Sequence, residues 1–201
     1  EEQGQEFGIL SSATSRAEFG VLYADKNPRD QAYASEKKDD GILPQYQSTL
    51  KQQVGIVVAG SAGERVQSAA KKLCEAAVVS NLHCTQKNDN PVTQGSGFSL
   101  AEVIISPNEI FYTGIETPDA VIVVSEDGMN ELHEKHLLDR LTKSTVLILD
   151  SSLMKPHTEA NIIEYPYRKE FGGAKAAMKA MEFYVKQSGV FPVEALSPAS
   201  G

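Results

Sequence analysis

VGIVVAGSAGERVQSAAKKL, from Val54 to Leu73, decides the fold. GIVVAG is a short β-branched run of the kind that forms a strand buried on both faces. Gly60 and Gly63 then mark a tight turn. After it, Val66, Ala69, Ala70, Leu73, Ala76 and Ala77 recur at helical spacing. The small alanines let such a helix lie close to a sheet. Strand, glycine turn and helix together are the opening unit of an α/β fold of the nucleotide-binding type.

The same alternation continues downstream. LHCTQK reads as a second strand, and AEVIIS and EIFYTG as strands joined by a turn at Pro107-Asn108. DAVIVVS is another buried strand, and EDGMNELHEKHLLDRL places Met129, Leu132, His136 or Leu137, and Leu141 on one helical face. TVLILDSSL is a third buried strand, IIEYPY a shorter one, and GGAKAAMKAMEFYVKQSG a helix with Gly189 at its C-terminal cap. This order predicts a three-layer, mainly parallel, Rossmann-like sheet flanked by helices over residues 54–201.

Residues 1–53 differ. EFGIL and EFGVL repeat a pattern at Glu6–Leu10 and Glu18–Leu22, and NPRDQAYASEKKDDGILPQYQ reads as an extended connector. The chain opens on Glu1 without a Met, so a longer gene product or a preceding segment is expected.

Composition narrows the function. The 201 residues, 41% hydrophobic and 23% charged, are those of a soluble globular protein. A formal charge of −8 argues against nucleic-acid and anionic-membrane surfaces, and no apolar run is long enough to span a bilayer. Cys74 and Cys84 are too few and wrongly spaced for a zinc or iron–sulfur site. Cys74 reads as a buried core thiol, and a reducing cytoplasm is the default location.

Two loops carry the binding chemistry. In AGSAGER, Gly60 and Gly63 turn the chain where a side chain would block a ligand, and the helix N-terminus offers N–H groups to a phosphate. Ser61 adds a hydroxyl and Arg65 a charge. The dinucleotide fingerprint fails, since Ala62 and Arg65 stand where glycines belong, and no acidic residue ends the second strand. A turn needed only for strand–helix packing is the alternative. The second loop, TQGSGFS, offers Gly95, Ser96, Gly97 and Ser99 as flexible donors for a phosphate or a pantetheine-like chain. An ordinary surface loop is its alternative. His83, His133, His136 and His157 fit structural or solvated roles, and no metal site or catalytic residue is identified. Asp150 ends a strand where ligands of α/β sheets gather, or else caps its own turn through the following serines.

GIVVAGSAGERVQSAAKKLCEAA, then NPVTQGSGFSLAEVIISPNEIFYTGIETPDAVIVVSEDG, then TVLILDSSL and GVFPVEAL resemble the gamma subunit or domain of 2-oxoacid:ferredoxin oxidoreductases. These are the pyruvate, 2-oxoglutarate, ketoisovalerate and indolepyruvate enzymes. The resemblance runs from Val54 to Leu196 in family order. AEFGVLYADKNPRDQAYA resembles the tail of the thiamine-diphosphate-binding beta subunit, so residues 1–53 are an extension or linker, or the tail of a fused beta domain.

The resemblance implies oxidative decarboxylation of a 2-oxoacid to an acyl-CoA by a cytoplasmic complex. Thiamine diphosphate, Mg and 4Fe–4S clusters would sit on alpha, beta and ferredoxin-like iron–sulfur partner subunits or domains, with ferredoxin as acceptor. This chain would bind no cofactor tightly and hold no complete active site. It would pack on its partners and help hold coenzyme A, with Gly60, Ser61 and Gly63 on the family's first turn and Gly95 to Ser99 on its second loop. The family turn continues Gly-Gln-Gly, whereas this chain has Gly63-Glu64-Arg65. Glu64 suits the helix dipole but not a phosphate, which leaves Arg65 as compensation. A free-standing nucleotide or dinucleotide-binding domain, or a purely structural docking module, are the other readings.

Overall fold

A computed structural model describes residues 43–90 and 97–196. The repeats at Glu6–Leu10 and Glu18–Leu22, and the loop residues Gly95 and Ser96, lie outside them. A compact unit spans Pro44–Gly201. Its first residues form no helix or strand but are tied down: Gln45 N–H and Tyr46 N–H donate to Val79 C=O, and Ser48 Oγ donates to Val190 C=O.

The regular elements are β1 (Val54–Ser61), α1 (Val66–Val79), β2 (His83–Asp89), β3 (Phe98–Ser106), β4 (Ala120–Val123), α2 (Glu126–Glu134), β5 (Val146–Asp150), β6 (Asn161–Tyr165), α3 (Tyr167–Phe171) and α4 (Gly173–Ser188). One sheet runs in the order β2-β3-β1-β4-β5-β6. β1, β4, β5 and β6 pair in parallel, while β3 is antiparallel to both β1 and β2. The β1–α1–β2 crossover therefore skips one position in the sheet, and β3 returns antiparallel to fill it.

Strand periodicity divides the core into two layers. Ile56 and Val58 of β1, Ala120 and Ile122 of β4, and Ile148 of β5 face the layer of α1 and α4. Val57 and Ala59, Val121 and Val123, and Leu147 and Leu149 face the layer of α2. A strand buried on both faces has no polar positions, which is why these runs are continuously apolar. The six residues expected on the inner face of α1 are its buried set, and α4 ends at Gly189, whose φ of 65° suits glycine.

Three local expectations are corrected. EIFYTG forms no strand: both edges of β1 are taken by β3 and β4, so the segment crossing beneath β1 finds no free edge there. Phe111 and Tyr112 remain exposed on it. The helix expected to reach Leu141 stops at Glu134, because His136 turns left-handed at φ 51°. Leu137 and Leu141 still reach the core, whereas His136 stays outside and pairs with Asp139. The second strand does end in an acid, Asp89, but that carboxylate pairs with Lys135 at 2.8 Å.

Cys74 is also not a buried free thiol. It is half-buried and disulfide-bonded to Cys84, with 5.4 Å between Cα atoms, so the bridge ties α1 to the edge strand β2. Helix and strand bring the two cysteines together, a juxtaposition that their spacing of ten does not announce.

Two expected outcomes follow from this packing. A Cβ added at Gly128 on α2 would lie 2.6 Å from Gly60 N and 2.7 Å from Ala59 C. Neither backbone atom can move aside, so Gly128→Ala should destabilise the chain by roughly 2–3 kcal/mol, read from the urea midpoint. Reducing the disulfide, or substituting Cys84→Ser, should lower the melting temperature by roughly 5–10 °C, since closing so short a loop contributes about 3 kcal/mol. A melting temperature insensitive to dithiothreitol would contradict the bridge.

Candidate functional site

The carboxyl ends of β1, β4 and β5 lie side by side, the place where open α/β sheets collect ligands. Gly60 is packed there on all sides. A Cβ on it would lie 2.8 Å from Val66 Cγ2, 2.9 Å from Glu64 Oε2 and 3.0 Å from Val124 Cγ2. Its lack of a side chain serves the junction of β1 with the helices on both faces.

The turn then rises to the surface. Gly63 is exposed at φ 87° with nothing near its missing side chain. Arg65, also exposed, adopts a left-handed φ of 57° and precedes α1, which has no side-chain cap. Gly63 and Arg65 are thus the parts of the turn that a ligand can reach.

Glu64 is the residue that sequence reasoning weighed only for its charge. It is 7% exposed and folds back on its own turn, with Oε2 accepting the Ser61 N–H at 2.8 Å. Its Oε1 pairs with Arg168 at 3.1 Å and lies against Gly173, where a Cβ would approach to 3.1 Å. A carboxylate of the chain itself therefore takes the backbone donor that a phosphate would have used at Ser61. The pair also joins the β1 turn to α3 and to the start of α4.

The two loops do come together. Ala62 N–H donates to Gly97 C=O at 2.7 Å, and the β1–β3 ladder pairs Gly60 with Ser99 and Ser61 with Phe98. Gly97 has φ 90°, and Ser99 is buried. Ser61, Gly63, Arg65 and Gly97 so share one rim, Gly60 and Ser99 form its base, and Gly95 and Ser96 lie outside the described residues.

The polar groups beneath the rim are structural in their bonding. Ser61 Oγ donates to the fully buried Ser125 Oγ at 2.9 Å, not to a general base. Asp150 takes the capping role: Oδ1 accepts from Ser152 N–H and Oγ, and Oδ2 from Arg168 N–H at 2.7 Å. Tyr167 beside it is buried, and that desolvation, aided by Tyr165 and Asp150, pushes its hydroxyl up to about 12, so it stays neutral. Among the described residues no group of three or more His, Cys, Asp or Glu is placed to hold a metal ion. Among its described residues this rim offers groups that can hold and orient a ligand or a partner, and no nucleophile–base pair.

Ser125, Arg168 and Gly173 were missed from sequence. The glycine pair before α4 was the one signal that pointed toward them, since its second glycine is what admits Glu64.

Removing the Glu64 carboxylate leaves Arg168 unpaired and the Ser61 N–H without its acceptor. Glu64→Ala should cost about 2 kcal/mol of unfolding free energy, moderated by the partial exposure of Arg168. Equal urea midpoints for Glu64→Ala and the parent chain would show that the pair stabilises nothing.

Comparison with known proteins places this geometry. The chain is 26% identical over 123 residues to the 2-oxoglutarate synthase subunit KorC of Archaeoglobus fulgidus, an alignment covering 58% of this chain. It spans 63% of the length of that curated relative. Among solved structures, the gamma subunit of a keto/oxoacid ferredoxin oxidoreductase from Geobacter sulfurreducens matches with a TM-score of 0.60 and 21% identity, over 73% of this chain and 82% of that one. The pyruvate oxidoreductase subunit PORC of Thermotoga maritima matches with a TM-score of 0.55 and 21% identity over the same shares. A 2-oxoglutarate:ferredoxin oxidoreductase from Magnetococcus marinus, solved with 2-oxoglutarate, coenzyme A and succinyl-CoA bound, matches with a TM-score of 0.55 and 16% identity, over 68% of this chain and 24% of that one. These structural matches bear out the α/β fold with its mostly parallel sheet. The family model of pyruvate ferredoxin/flavodoxin oxidoreductases matches residues 55–197, well over half of the chain, and the chain belongs to that family.

Proposed function

We propose that this chain is the gamma-type part of a 2-oxoacid:ferredoxin oxidoreductase complex, which converts a 2-oxoacid to an acyl-CoA. In this reading residues 54–201 are the gamma-type domain, and residues 1–53 an extension or the tail of a beta domain. Thiamine diphosphate, Mg and the 4Fe–4S clusters belong to alpha, beta and ferredoxin-like partners, ferredoxin accepts the electrons, and the complex is cytoplasmic. No helix of the described residues is long and apolar enough to cross a membrane.

The chain's share in the chemistry is to help hold coenzyme A. The observation that carries this reading is the bond from Ala62 N–H to Gly97 C=O, which makes one rim of the two family loops. Arg65 is its exposed cation and Gly63 its unobstructed backbone. These residues would steady the coenzyme's phosphates and pantetheine, while bond making takes place on the partners.

One observation favours a second reading, a docking module that touches no ligand. Glu64 already occupies the Ser61 N–H, so a phosphate at the turn would have to rely on Arg65. A dinucleotide site is disfavoured by the same carboxylate, by Ala62, and by the antiparallel strand beside β1.

The assembled complex discriminates these readings. Arg65→Gln and Gly63→Val should each raise KM for coenzyme A by roughly tenfold while leaving KM for the 2-oxoacid unchanged. Unchanged KM for coenzyme A with intact assembly would leave the docking reading in place. Tight binding of NAD(P)H would overturn both.

A further inference from the structure

Beneath the opposite end of β1 lies a cavity of 1030 Å³ that no part of the proposed function uses. It exists because α2 ends at Glu134, short of covering the amino-terminal half of the sheet on its side. The segment crossing between β3 and β4 covers only part of that face. Ile115 from this segment lies on Gly55, where a Cβ would approach to 3.0 Å, and Ile104 of β3 lies beneath the cavity but is itself buried.

The polar groups around this cavity are held in place by bonds that leave donors over. Glu102 accepts the Ile115 N–H at 2.8 Å and a long ion pair from Lys87 at 3.4 Å. Ile115 C=O in turn accepts a bond from Arg140 Nη1 at 3.3 Å. That bond orients the guanidinium, which makes no ion pair among the described residues. Tyr112 Oη accepts from Gln53 Nε2 at 2.7 Å, so its own proton is free to donate. Arg140, Lys87 and Tyr112 thus offer unused donors beside the half-buried Ile115.

Acids line the cavity as well. Glu102 is engaged as described, and Asp119 Oδ2 accepts the Gly55 N–H at 2.7 Å. Glu116 is exposed. With a chain of net charge −8, these carboxylates repel highly charged anions, which excludes a polyphosphate or a nucleic acid and leaves only a singly or doubly charged ligand drawn to Arg140.

We infer that this cavity is a binding site for a small oxyanion, a carboxylate or a phosphate, held by the Arg140 fork with Lys87 and Tyr112. It stands apart from the glycine-turn rim and does not rest on the function proposed for that rim. A carboxylate with a short apolar body matches the half-buried Ile115, and a phosphate matches the donor set alone.

The test uses the 201-residue chain, titrated separately with succinate and with inorganic phosphate and followed by calorimetry and amide NMR shifts. Saturable binding of at least one probe is expected, with shifts centred on residues 112–117. Arg140→Gln and Lys87→Gln should each weaken it by about tenfold or more, and Arg65→Gln at the other end should leave it unchanged. The probe that binds identifies the source of the oxyanion. Failure of both probes to saturate, affinity retained in Arg140→Gln and Lys87→Gln, or loss in Arg65→Gln would overturn the site. None of those results bears on coenzyme A at the rim.

Discussion

The carboxyl end of β1 is gripped from both faces of the sheet, and the arrangement of the site follows from that grip. On one face Gly128 lets the backbone of α2 lie directly against Ala59 and Gly60, with no side chain between them. On the other, Val66 opens α1 hard against Gly60. Interiors packed to crystal-like density do not yield by an ångström, so the turn leaves the sheet in one direction only. That direction delivers Ala62 to Gly97 and lifts Gly63 and Arg65 into solvent. The glycines of the turn therefore do different work: Gly60 makes the junction, and Gly63 supplies the left-handed conformation that follows it.

Glu64 uses the space that this geometry leaves. A buried carboxylate needs partners for its charge, and it has a backbone N–H on one oxygen and a guanidinium on the other. The result is an internal anion beside a helix N-terminus, a place that suits a bound anion as well. Its negative charge lies beside the amino end of α1, favourable for the helix dipole. The Ser61 N–H is therefore already taken, and the exposed groups of the turn are the Arg65 guanidinium and the backbone of Gly63. The same pair fixes α3 and the start of α4, which makes Glu64 a structural hub whatever the rim binds.

How much of this was legible depends on the range of the interaction concerned. The inner face of α1, the buried strands and the Gly189 cap are written in neighbouring residues, and periodicity finds them. The direction of β3 is not, because a strand buried on both faces has the same apolar pattern whether it runs parallel or antiparallel. EIFYTG has strand-like composition, but strand formation needs a free edge, and β1, which it crosses, has both edges taken. Cys74 with Cys84 and Glu64 with Arg168 meet only through the tertiary fold. The two loops were paired from family resemblance, and the bond that joins them depends on β3 returning beside β1, which the pattern of residues did not reveal.

β1 thus has two unlike ends. At its carboxyl end two helices close on it, Glu64, Ser125 and Asp150 have their partners within the chain, and among the described residues the rim exposes Arg65 and the backbone of Gly63 and Gly97. At its amino end α2 has already stopped at the left-handed His136, and a strap without regular structure takes over the covering of the sheet. Such a strap cannot pack as a helix does, since it has no repeating apolar face to offer. It packs Ile115 on Gly55, is otherwise held by single hydrogen bonds from Gln53, to Glu102 and from Arg140, and leaves a polar cavity around it. The length of one helix therefore decides where this domain is closed and where it is open.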